Sequence, residues 1–208
     1  MTKRGNFFWA SYADLMTSLF FIMLVLFVLT VVMLKRQAKA TEEQLKKIEN
    51  IQKSIQNIDS NYFVYSEQYK KHVLNIIIQY GAYKFDPHQL SYEERLELLK
   101  AGKSIKSFVE RNNFNDVGYL IIIEGQSSKD GFFKNNLENN DVISFNRALW
   151  LKKFWEENNL DIGSLSNCEL IVAGSGEKGV PRFFPDIPPA NQRFLIHIIP
   201  KFGQIITK

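Results

Sequence analysis

Between Leu15 and Leu34 only Thr17, Ser18 and Thr30 interrupt an apolar run. About 20 apolar residues, at about 1.5 Å rise each, cross a hydrocarbon core of about 30 Å. The run therefore predicts a membrane-spanning helix over 14–34, preceded by a short basic and aromatic tail over 1–13. A secretory signal would carry an apolar core of about 7–15 residues and then a small-residue cleavage site. This run is longer and ends in the basic "LKRQAKA". The expectation is an uncleaved anchor.

From Lys35 the pattern narrows. Leu45, Ile48, Ile51, Ile55 and Ile58 recur in steps of three and four, a thin stripe on a charged helix. Thr41 with Gln44 resembles a capping box. One stripe cannot bury itself alone. It predicts a short self-paired coiled coil or a helix lying on another surface. Residues 62–80 read as a second helical stretch, which makes 35–80 a helical linker.

The remainder, 81–208, alternates period-2 and period-3.6 patterns. "AYKFDPHQL" is a strand ending in a turn at Pro87. A helix follows, N-capped by Ser91 with Glu94 as its capping-box partner. "GYLIIIEG" is a fully buried strand, and a long polar loop spans 129–139. "VISFNRALWLKKFWEENNL" is a helix, and "CELIVAGSG" a strand. A Gly- and Pro-rich loop over 174–192 leads to the last strand, "RFLIHIIP". The expected class is α+β, in the order β-α-β-α-β-β, a compact domain of roughly 120 residues.

Charge and composition remove function classes. The 208 residues carry a formal net charge of +4, spread along the chain, which gives no support for a nucleic-acid partner. Three His (His72, His88, His197) stand far apart without ligand spacing, so no metal site is expected. The single cysteine, Cys168, lies in an apolar run and reads as a buried small side chain. No nucleophile–base pair or phosphate loop is evident. "GSGEKG" at Gly174 follows a strand but opens no helix, so it is not a nucleotide fingerprint. An enzyme is not expected. Lys3 and Arg4 before the span balance Lys35, Arg36 and Lys39 after it, and the positive-inside rule leaves orientation open.

Asp14 is the exception within this order. A carboxylate at the centre of a membrane helix costs about 2.5–3.5 kcal/mol, and less near an end. Its neighbours three and four positions away are Ala10, Ser11, Thr17 and Ser18, and Phe21 and Val25 close that face. A short polar patch of this kind suits a carboxylate facing another protein. The residues alone also allow Asp14 to turn to the interface or to cap the helix.

"FWASYADLMTSLFFIMLVLFV" resembles the transmembrane segment of MotB-type stator subunits. In that family an aromatic-rich opening and Tyr/Phe-Ala-Asp-Leu/Phe-Met-Thr/Ser begin the single membrane helix. The resemblance implies that Asp14 carries the translocated H⁺ or Na⁺, with Thr17 and Ser18 beside it. It also implies that Trp9, Tyr12, Met16 and Phe21 face the motor partner. No other cofactor is implied.

A second resemblance lies far along the chain. "IIIEGQSSKDG", "NNDVISFNRALWLKKFW", "VAGSGEKGVP" and "NQRFLIHI" are similar to OmpA-like cell-wall-binding domains. The family's Asn-x-x-Leu-Ser-x-x-Arg-Ala falls on Asn140, Ile143, Ser144, Arg147 and Ala148. Its Gly-rich turn falls on Gly174, Gly176, Glu177 and Pro181. Its Arg-Arg pair is reduced to Gln192-Arg193. The family's aspartate, which with the helix arginine clasps the peptidoglycan stem peptide, falls on Ser128, with Asp130 nearby but shifted. The resemblance implies peptidoglycan binding through Arg147, Asn140, Ser144, Ser128 and Arg193.

The order of the two resemblances is that of stator B subunits. It implies a homodimer within a ring of five polytopic MotA-like subunits. It also implies a bacterial inner-membrane protein with a cytoplasmic N-terminus and a periplasmic C-terminal domain. Zorya-type antiphage defence motors share a similar "FW-x-SYADLMT" opening, and the departures from the wall-binding pattern tilt the reading towards such a non-flagellar motor. A flagellar stator and a passive membrane-tethered envelope anchor are the alternatives.

Overall fold

The computed structural model describes residues 5–76, 78, 80, 84–112, 117–128, 140–184 and 190–202. The chain divides into two units, Met1–Asn50 and Ile51–Lys208.

Helix α1 spans Gly5–Gln56. No Gly or Pro occurs from Asn6 to Gln56, so no residue in that stretch breaks the hydrogen-bond ladder. Its apolar stretch has a mean hydropathy of 2.8 over 18 residues, none of them buried, and is long and apolar enough to cross a membrane. Leu19, Phe20, Phe27 and Met33 are all exposed. The capping box expected at Thr41 does not form. The helix runs through it, and the Thr41 hydroxyl donates back to the Gln37 carbonyl at 2.9 Å.

The second unit is α+β, as expected. Five strands lie in the order β1-β2-β5-β3-β4: β1 Phe63–Ser66, β2 Lys71–Leu74, β3 Val117–Gly125, β4 Cys168–Gly174 and β5 Phe194–Phe202. β3 pairs parallel with β4 and antiparallel with β5. A parallel pair needs a crossover connection, and helix α3 (Asn140–Glu157) supplies it. Helix α2 (Tyr92–Arg111) starts on the expected capping box, with the Glu94 amide donating to the Ser91 hydroxyl at 3.2 Å and the Ser91 amide to the Glu94 carboxylate at 2.9 Å.

Both helices contribute to one core. Leu98, Ile105 and Phe108 from α2 and Leu151, Phe154 and Trp155 from α3 join Tyr119, Ile121, Ile123 and Ile196 of the sheet, all buried. Trp155 ties the helices by donating its indole N–H to the Leu98 carbonyl at 2.9 Å. Gly102 leaves the ring its space, since a Cβ there would sit 2.8 Å from the indole nitrogen.

Two further sequence expectations change. Residues 62–80 do not continue as helix: Phe63–Ser66 and Lys71–Leu74 form an antiparallel hairpin with Ser66 opposite Lys71. Its turn places Lys70 in the left-handed region at φ 54°. Phe63, Val64, Tyr65 and Val73 are strand formers, and pairing of β2 with β5 decides between two periods that the local pattern allows. No strand forms over Lys84–Asp86. Asp86 instead caps a 3-10 turn at Pro87–Gln89, accepting from the His88 amide at 2.8 Å; residues 81–83 of that expected strand lie outside the described residues. The domain order is therefore β-β-α-β-α-β-β.

For the rear half of the isoleucine stripe the structure selects the second of the two expected alternatives, a helix lying on another surface. Ile51, Ile55 and Ile58 are 3–6% exposed and belong to the domain core, whereas Leu45 is 61% exposed. The rear half of the stripe is spent on the chain's own sheet domain. His72 of β2 reinforces it by hydrogen bonding to the Ile55 carbonyl at 2.8 Å, one of the last carbonyls of α1, which lack an intrahelical partner.

Candidate functional site

Asp14 is exposed on α1, with Thr17, Ser18 and Phe21 at helical spacing on its face. It makes no hydrogen bond or ion pair with the described residues. The Thr17 hydroxyl is turned to its own helix, donating to the Ala13 carbonyl at 2.7 Å. Trp9 and Tyr12 stand edge to face, 6.4 Å between ring centres. Met16 and Phe21 are exposed further along the same helix. The arrangement offers one carboxylate with an aromatic collar on the N-terminal side and apolar bulk on the other.

The five residues singled out in the sheet domain meet around the C-terminal end of β3 and the N-terminal turns of α3. Close packing makes this possible: a Cβ at Gly125 would lie 2.0 Å from the Ser144 carbonyl oxygen, and one at Gly174 would lie 2.5 Å from the Phe145 nitrogen. Ser144 is fully buried. Its hydroxyl donates to the Asp141 carbonyl at 2.8 Å and accepts from the Gly176 amide at 2.9 Å. Gly176 sits at φ +55°, a conformation that disfavours a side chain. Asn140 donates to the Glu177 carboxylate at 3.3 Å.

Arg147 is 4% exposed and lies over the Tyr80 ring at 4.8 Å. It donates to the carbonyls of Gln126 at 3.2 Å and Lys84 at 3.5 Å. Ser128 accepts from the Gln192 amide at 3.3 Å. Arg193, 7% exposed, donates to the Pro181 carbonyl at 3.2 Å and the Asn191 side chain at 3.3 Å. Gln126 links the two arginines, since its side chain also donates to the Pro181 carbonyl, at 3.1 Å. The set is brought together, and each member has an acceptor or donor inside the domain. Asp130 and the 129–139 loop lie outside the described residues.

No protein-family model matches the chain, and no curated protein matches it. Solved structures do. A MotB-like protein from Desulfovibrio vulgaris is 12% identical, with a TM-score of 0.45 over 76% of this chain and 96% of that one. The periplasmic domain of Helicobacter pylori MotB is 16% identical, with a TM-score of 0.44 over 65% of this chain and 86% of that one. The OmpA-like domain of FopA1 from Francisella tularensis is 16% identical, with a TM-score of 0.41 over 68% and 81%.

Two features were not anticipated from sequence. On β3, the Glu124 carboxylate holds Lys71 of β2 at 2.8 Å and His197 of β5 at 2.5 Å. Burial alone would raise this carboxyl. Hydrogen bonds from His197, Lys71 and Ser175 outweigh burial and hold it down at about 2. The signal in the sequence was one acid in "LIIIEG" and one histidine in "FLIHII", each the only titratable group in a buried run.

The second is a cavity of about 450 Å³. It lies between the β1–β2 hairpin with its continuation to Ile78 and the segments around Phe183 and Arg193. Cys168 is only partly buried, and burial with the nearby Glu169 pushes its thiol up to about 12, so it is an inert thiol at neutral pH.

Proposed function

We propose that this chain is the B subunit of an ion-driven rotary membrane motor. Asp14 carries the translocated H⁺ or Na⁺, and the sheet domain anchors the subunit to peptidoglycan. The reading rests on one observation above the others: "YADLMTSLF" places a carboxylate at the head of a single span-length apolar helix that leads to an α+β domain. A lone acid on a membrane helix needs partners from other helices. Here they come from a polytopic MotA-like subunit, five around a homodimer, docking on Trp9, Tyr12, Met16 and Phe21. Binding and release of the ion switch Asp14 between charged and neutral forms and so change its contacts with the ring. One charge crossing 100 mV delivers about 2.3 kcal/mol, enough to drive stepping when repeated.

The N-terminus is cytoplasmic and the sheet domain periplasmic. The load is non-flagellar, of the antiphage-defence kind. Ser128 in the place of the family's aspartate and the internal hydrogen bonds of Arg147 support a wall contact that differs from the flagellar pattern.

The test is purification from native membranes followed by counting of chains and measurement of ion flux in vesicles. Two copies inside a five-membered polytopic ring, with flux abolished by Asp14→Asn and partly kept by Asp14→Glu, is the expected result. A lone monomer or dimer, or an Asp14→Asn protein with unchanged flux, returns the chain to a passive envelope anchor.

A further inference from the structure

Arg193 is an unusual cation. It is more than nine-tenths buried and pairs with no carboxylate among the described residues. One guanidinium edge is used on the Pro181 carbonyl and the Asn191 side chain. Its Nε is buried and has no hydrogen-bond partner among the described residues. Its face lies 4.0 Å above the Phe183 ring. Burial, and then the neighbouring Arg182 charge, pull its pKa down to about 10. A buried charge without a counter-ion is costly, so the site calls for an anion.

Arg193 and Arg182 both line the 450 Å³ cavity, and none of the described residues lining it is acidic. The rest of the wall is mainly apolar, with Val64, Val73, Ile76 and Phe183 prominent. The size falls in the range of small-molecule sites, about 300–1,000 Å³, and the pattern of an apolar body with a few polar groups is the usual one. At about 30 Å³ per water-sized atom, it accepts a chain of roughly a dozen heavy atoms.

We propose that this cavity binds the acyl chain of an anionic amphiphile, its carboxylate or phosphate held at Arg193 and its alkyl tail packed between the β1–β2 hairpin and Phe183. Two sources share this chemistry: a free medium-chain fatty acid and an anionic phospholipid. The site is separate from Asp14, and it assigns Arg193 to this cavity rather than to peptidoglycan.

The experiment uses the full-length chain in phosphatidylcholine nanodiscs, with a decanoate analogue bearing a terminal diazirine as probe. After irradiation, the labelled peptides are mapped by mass spectrometry. Labelling is expected in 63–78 or 181–193. Unlabelled decanoate should compete at about tenfold lower concentration than decanol, which lacks the charge.

Arg193→Gln should cut labelling by about tenfold, and Val64→Trp, which adds bulk at a half-exposed wall position, should abolish it. If Arg193→Gln loses the native fold by circular dichroism, the Val64→Trp result decides. Loss of labelling in phosphatidylglycerol nanodiscs assigns the occupant to membrane lipid; retention assigns it to free fatty acid. Labelling confined to the apolar stretch of α1, equal competition by decanol, or full labelling of the folded variants overturns the proposal.

Discussion

Glu124→Gln tests the reading of the sheet's polar knot most directly. The carboxylate, 5% exposed, is shared by Lys71 and His197, which come from two other strands. Its pKa is held at about 2 against an ordinary 4.5, because these hydrogen bonds overcome the opposing effect of burial. A depressed carboxyl pKa stabilises the fold fully above the unfolded value. That contribution is lost as pH falls from about 4.5 to about 2. A shift of this size is worth about 3 kcal/mol at neutral pH. Removing one partner of a buried pair costs a similar amount, about 3–5 kcal/mol, since it leaves a buried charge uncompensated.

The assay is urea unfolding of the full-length chain in nanodiscs, followed by the emission of Trp155, which is buried in the core. At pH 7 Glu124→Gln should lower the midpoint by about 1.5–2.5 M, taking about 2 kcal/mol per M for the denaturant slope. At pH 2.5 most of the difference should vanish, because the wild-type carboxyl is then close to protonation. Equal midpoints at pH 7 would refute the reasoning, as would a gap that stays constant from pH 7 to pH 2.5.

Three further outcomes are expected in the same assay. Ile55→Ala should destabilise the sheet domain by about 2–5 kcal/mol, the cost of a buried large-to-small change, while Leu45→Ala on the exposed half of the stripe should stay within about 0.5 kcal/mol. Ser144→Ala should cost about 1–3 kcal/mol by depriving the Gly176 amide of its acceptor; amide exchange at Gly176 should quicken in step. Burial lowers the pKa of His72, so the fold keeps it neutral while the unfolded chain binds a proton below about 6.5. Stability should therefore decline as pH falls from 6.5 to 5.5, and His72→Gln should flatten that decline. An unchanged slope would exclude His72 as its origin.

What could be read from the sequence was set by how far each signal reaches. The long apolar helix is legible because its cause is local: the composition over Leu15–Leu34 by itself is that of a stretch long and apolar enough to cross a bilayer. β3 is legible for the same reason, as nine residues with three consecutive isoleucines have few other uses. The hairpin of β1 and β2 was not. Its four-residue strands satisfy a helical pattern as well as an extended one, and the choice is made by β5, more than a hundred residues away. The isoleucine stripe was seen correctly as a stripe, yet its partner was not encoded nearby. A second copy and the chain's own sheet present the same apolar chemistry to it, and the fold selects the sheet for Ile51, Ile55 and Ile58.

The same distinction divides the sites. The motif positions Asn140, Ser144 and Arg147 were legible as a group, because their spacing on one helix puts them on one face. Where their hydrogen bonds go was not legible. For Ser144 and Arg147 those partners include backbone groups of Gln126, Lys84 and Gly176, and for Asn140 the Glu177 carboxylate; glycines that let α3 approach the strand ends set their positions. A polar residue in a motif can therefore serve the shape of a turn as well as a ligand, and Ser144 does the former.

The Glu124 knot shows the complementary case. No spacing rule joins residues 53 and 73 positions apart. The antiparallel register that sets Ile122 opposite His197 brings the histidine within reach of the acid two residues along. A titratable side chain that interrupts an otherwise apolar strand is thus a signal in itself. Its counterpart is to be sought on the same face of the neighbouring strand, two residues along the register, and for Glu124 that search leads to His197.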